Sequence, residues 1–109
     1  MSRINKRAHG PAQVSNAAAT KYTVPTGMRF VVRHLHVNNP SGSPVTFTWS
    51  IGVDAAATRI KDAFSIAAGA DYDDYGPYTV EAAELIQALA GTNNILVLVI
   101  DGELTLLTG

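Results

Sequence analysis

Thr23–Val53, TVPTGMRFVVRHLHVNNPSGSPVTFTWSIGV, decides the fold class. Its second half alternates without a break: Val45, Phe47, Trp49, Ile51 and Val53 fall on one side, Thr46, Thr48, Ser50 and Gly52 on the other. A period of two is that of a strand with one buried face, because successive side chains leave the pleat in opposite directions. The first half, Met28–Val37, is also apolar-rich but mixed. Phe30, Val32, His34 and His36 share one side, and Arg29, Val31, Arg33, Leu35 and Val37 the other. Between them Asn38–Pro44 supplies Asn, Pro, Ser and Gly, residues that reverse a chain, so the two runs are expected to form one long antiparallel hairpin.

The flanks extend this pattern. Lys21–Val24 reads as a short strand closed by the tight turn Pro25-Thr26-Gly27. After a connection of small residues, Arg59–Ile66 alternates, with Ile60, Phe64 and Ile66 inward. Ala67–Gly76 is expected to be a loop from its Gly and Asp content, and Pro77–Val80 a short strand. Val80–Gly91 is ambiguous. With Ala82, Leu85, Ile86 and Leu89 at helical spacing and Gly91 able to end a helix, periodicity alone reads as a short helix; the alternative is a turn at Glu81–Ala83 followed by a strand over Glu84–Leu89. Gly91–Asn94 is a turn, across which that strand would pair with the next. Ile95–Ile100 is wholly aliphatic, and Asp101-Gly102 before Glu103–Leu107 signals a two-residue hairpin. A strand apolar on both faces needs cover on both. Ile95, Leu96, Val97, Leu98 and Val99 are therefore the expected oligomer interface.

Met1–Thr20 lacks sustained periodicity and reads as an arm, leaving residues 21–109 as the domain. Arg3, Lys6 and Arg7 make the arm basic and are its candidate partner-binding residues. Three cations without interleaved aromatics do not make a nucleic-acid signature. No apolar segment follows them, so they do not begin a secretion signal, and no run is long enough to span a bilayer. All eight Lys and Arg lie at or before Lys61, with Asp54 the only acid among them; the other eight acids lie from Asp62 onward. Internal pairing of the two halves is favoured over head-to-tail contact between copies. The absence of cysteine excludes disulfides and thiolate zinc sites.

Little chemistry is apparent. His34 and His36 lie side by side at a spacing that metals use, but no third ligand is visible nearby, and they read as structural histidines. Asp71–Gly76 imitates the start of an EF-hand loop, yet its twelfth position is Ala82 where a Glu is needed. An acidic turn is expected, with weak cation binding by Asp71, Asp73 and Asp74 left open. Tyr72, Tyr75 and Tyr78 form a candidate partner or glycan surface. There is no nucleophile elbow, triad motif or phosphate-binding loop. No catalytic residue, metal or cofactor is expected.

Several segments together resemble small β-sandwich virion proteins of tailed bacteriophages. They are Thr23–Gly27 running into Arg29–Val37, Asn38–Gly42, Ala67–Gly69, Ala83–Ile86 and Val99–Glu103. The resemblance spans about Thr20 to Leu107. It implies a jelly-roll or immunoglobulin-like antiparallel sandwich, and it places a strand, not a helix, over Glu84–Leu89. In that class a Gly-Asp turn leads into this strand; here the Gly is missing and Glu84 stands in the Asp position. The function implied is a capsid decoration (cement) protein, self-associating, with a trimer as one form, and bound to the major capsid protein. Neck or tail components and carbohydrate-binding modules are the alternatives. The implied location is the virion, after assembly in the host cytoplasm.

Overall fold

A computed structural model of the protein describes residues 3–107. Within them are nine strands and no helix: β1 (Arg3–Gln13), β2 (Ala19–Thr23), β3 (Met28–Asn38), β4 (Val45–Ile51), β5 (Arg59–Ile66), β6 (Asp71–Asp74), β7 (Tyr78–Val80), β8 (Leu85–Ala90) and β9 (Val97–Leu106). They form two antiparallel sheets packed as a sandwich. One has the order β1-β9-β3-β6, with β7 also pairing with β3; the other has the order β2-β8-β4-β5. Phe30, Val32, Leu35, Val37, Leu98 and Ile100 from the first sheet meet Val45, Phe47, Trp49, Ile86 and Ala88 from the second in one core.

The expected hairpin between Met28–Val37 and Val45–Val53 does not form, because β3 and β4 lie in different sheets. Each strand has a strongly apolar face. Laid side by side in one sheet those faces would still need a cover; set opposite each other they cover themselves. The connecting loop therefore crosses the sandwich, held by Asn39. This buried side chain donates through Nδ2 to the carbonyls of Ser43 (2.8 Å) and Ile66 (2.9 Å) and accepts through Oδ1 from the Ser41 amide (3.0 Å). The same geometry governs β8, which is a strand as expected but pairs with β2 and β4 instead of β9. Ala83, at φ 67°, takes the left-handed position in the turn before it, where the phage-type turn carries Gly.

Two further departures have local causes. Asp101-Gly102 is no turn, since β9 runs through it. Gly102 is required there by space: a Cβ would strike the Val31 carbonyl and come within 2.7 Å of the Phe30 ring. In β3 the pairing with β9 slips between Val32 and His34. Arg33 is the extra residue of a bulge, and the alternation resets there. Phe30 and Val32 before the bulge, and Leu35 and Val37 after it, all turn inward. His34 and His36, assigned by simple alternation to the side of Phe30, instead turn outward. That slip explains why neither side of the run looked purely apolar.

Residues 3–13 are not a free arm. They form β1, an edge strand that pairs with β9 from Arg3 opposite Thr105 to Gln13 opposite Val97. Most of β1 is exposed on both faces, so no hydrophobic period marks it; unpaired amides and carbonyls along β9 are what hold it in place. The first two residues of the expected arm and the last two of the expected domain lie outside the described residues. Ala67–Gly76 is not wholly a loop either. After a turn closed by the Ala70 amide on the Ala67 carbonyl (3.0 Å), β6 pairs with β3. In β5, Ile66 is buried, but Phe64 is 38% exposed, packed on Tyr72 at the open edge between the sheets, with Lys61 above its ring. Val53, expected inward, is exposed beyond the end of β4.

Candidate functional site

The densest chemistry lies on the outer face of the five-stranded sheet. The bulge at Arg33 turns His34 and His36 outward from β3. In the antiparallel register of β3 and β6, Asp73 sits directly opposite His36. One carboxylate oxygen, Asp73 Oδ1, accepts from both rings: His34 Nε2 at 2.7 Å and His36 Nδ1 at 2.6 Å. Hydrogen bonds from His36 and then His34 hold the Asp73 carboxyl below the ordinary carboxylate range. Tyr75 lies flat against His34, with ring centroids 4.6 Å apart and planes 5° from parallel. Across the ladder on the other side, Asp101 is the register partner of His34. The third polar group that the two histidines lacked is thus supplied from 37 residues away in sequence. In the sequence Asp73 stood out only as one acid of an expected acidic turn with weak cation binding left open, and nothing there tied it to His34 or His36.

The three tyrosines do not form one platform. Tyr72 and Tyr78 turn toward the core, against Phe47 and edge-on to Trp49 respectively, and both hydroxyls donate to Asp74 Oδ2, at 3.1 and 3.0 Å. Burial, reinforced by the adjacent Asp74 carboxylate, pushes the Tyr72 hydroxyl up to about 12, and burial likewise raises that of Tyr78. Tyr75 alone of the three is strongly exposed, at 67%.

Of the expected interface residues, Leu96 and Leu98 are fully buried in the chain's own core, and Ile95 packs against that core. Val97 and Val99 are half-buried on the opposite side of the strand. A separate apolar hollow is lined by Ile4, Met28, Leu104 and Leu106 where β1, β3 and β9 run together. Arg3, Lys6 and Arg7 are exposed along β1. Lys6 and Arg7 border a shallow hollow with Arg33, Asp101 and Glu103, so the basic segment meets acids of its own chain there. The two oppositely charged halves are also joined by Arg33–Glu103 at 2.7 Å and Arg29–Glu81 at 2.8 Å. His9 is the exception on β1. Its Nε2 is buried without a partner, and burial, then the Lys21 charge, lowers its pKa.

No protein-family model matches the chain, and no curated protein matches it. Among solved structures, the chain is similar to one of infectious bursal disease virus, Gx strain, at TM-score 0.58 and 11% identity over 99% of its length. The likeness is one of fold. This chain spans about a third of the viral chain, 32%. A VP2 subviral particle of the same virus aligns less closely, at TM-score 0.46 and 8% identity, with 94% of this chain and 31% of that one covered.

Proposed function

We propose that the protein is a non-enzymatic structural component of a virus particle, and within that class a decoration protein of a tailed-phage capsid. The observation that carries this reading is the sandwich itself, aligned from end to end with part of a viral chain. The antiparallel sandwich and the strand at β8, both expected from the phage-type segments, are consistent with the same class. Copies associate through the apolar hollow at Ile4, Met28, Leu104 and Leu106, and separately through the half-buried Val97 and Val99 on the outer face of β9, surfaces of the kind that partners cover. The exposed cations Arg3, Lys6 and Arg7 meet acidic ground on the major capsid protein. Many modest contacts, repeated over a lattice, suffice for such a role.

The test uses purified phage capsids and charge reversal, since removing residues 1–20 would also remove an edge strand of the sheet. The protein is expected to co-sediment with capsids at hundreds of copies per particle, and Arg3→Glu/Lys6→Glu/Arg7→Glu to weaken that binding at least tenfold. Native mass measurement is expected to show an oligomer that Leu106→Glu dissociates. A dozen copies or fewer per virion would move the protein to the neck or tail. Absence from virions would overturn the reading.

A further inference from the structure

We propose that His34, His36 and Asp73 form a site for a divalent transition metal of the zinc type. Their donor atoms all lie within 4.8 Å of one another, and they bring two imidazole nitrogens and one carboxylate. That donor set suits Zn²⁺, which takes His nitrogen and carboxylate oxygen in a tetrahedron and leaves a fourth position to water or a partner's side chain. The three groups are already gathered by the backbone. Two share one strand face, and the third is placed opposite by the β3–β6 register, so little further ordering is needed. The stacked Tyr75 ring fixes the plane of His34, and Asp101 beside it adds negative charge to the surroundings.

The present contacts of 2.6 and 2.7 Å are hydrogen bonds, each ring directing an N–H at Asp73. Ligands around a tetrahedral zinc stand about 3.3 Å apart, so the metal enters by replacing these shared protons while both Asp73 contacts lengthen and the two ring nitrogens, the wider pair of a set lying within 4.8 Å, draw together. Each ring then carries its N–H on the nitrogen away from the metal, a change of tautomer without net loss of a proton, and binding weakens as the medium is acidified because protons compete for the ligating nitrogens. Its structural effect is to clamp the short β6 to β3. This inference is independent of the virion reading, because it rests only on the three side chains and their register.

The experiment is calorimetric titration of the untagged full chain with Zn²⁺, alongside thermal unfolding with and without the metal. One Zn²⁺ per chain is expected, with a rise in Tm of ~5 °C at a large excess of metal. His36→Ala and Asp73→Asn should each weaken binding at least tenfold and abolish the rise, while His9→Ala should behave as the parent. Metal-free Tm values show that the variants are folded, and His34→Gln provides a milder replacement. Co²⁺ should give the intense visible absorption of a tetrahedral site, and the variants should lack it. Absence of zinc binding by the parent chain, or binding unchanged in Asp73→Asn and His36→Ala, would overturn the proposal. So would binding that follows His9.

Discussion

The two faces of the five-stranded sheet use the same strands for different ends. On the inner face Phe30, Val32, Leu35, Val37, Leu98 and Ile100 are all fully buried. On the outer face the same strands carry His34, His36, the Arg33–Glu103 pair and two half-covered valines, with Asp73 arriving from β6. The inner face is held by burial, which depends on how much apolar surface is removed from water and little on which strand is next to which. The outer face depends on register, because its groups act only in pairs and triples brought together across the ladder. The bulge at Arg33 links the two. It keeps both halves of β3 apolar inward, and by the same slip it sends both histidines outward.

Substitutions should separate the faces by magnitude. The largest loss is expected for Phe30→Ala, which empties fully buried volume in the core and should lower stability by about 3–5 kcal/mol in denaturant unfolding. Gly102→Ala should follow, at about 2 kcal/mol, because the added methyl presses on the Val31 carbonyl and the Phe30 ring from within the sheet. If Gly102→Ala were neutral, the account of that glycine as a space requirement would fail. Arg33→Ala, which removes an exposed ion pair from the outer face, should cost less than about 1 kcal/mol in the same measurement, and less still in high salt.

The smallest global effect, confined to one strand, should come from pH. His9 is held neutral by burial, its pKa lowered on folding. The stability it allows is thus present above the ordinary histidine pKa of about 6.5 and lost as the pH falls toward its folded value. Hydrogen exchange should show β1 amides losing protection as the pH falls below about 6.5, before the β3 and β4 amides do, and His9→Gln should flatten that difference.

The same contrast explains what the amino-acid sequence revealed. The unbroken alternation of Val45–Ile51 made the strand and its apolar face legible, because these are local properties; that Thr48 and Ser50 on the other face are buried as well was not. The choice of strand over helix for Glu84–Leu89 needed the phage-type resemblance, since Leu85, Ile86 and Leu89 satisfy a helical period as well. The pairings were not legible. Loops such as Asn38–Pro44 and Gly91–Asn94 have the chemistry of reversals, and a chain reverses direction equally whether it stays in its sheet or crosses to the other. β1 escaped notice because an exposed edge strand needs no hydrophobic period. The His–Asp–His cluster escaped for the related reason that Asp73 lies in a run whose Asp content resembles a loop, and only the ladder brings it to His36.

The antiparallel union of the first and last strands sets Arg3 beside Thr105. The described strands therefore begin and end at the same corner, and a short linker between β1 and β9 there would join them without disturbing any ladder. A new opening at Gly42, in an exposed loop with free space around it, would then give a circular permutant with the same sandwich.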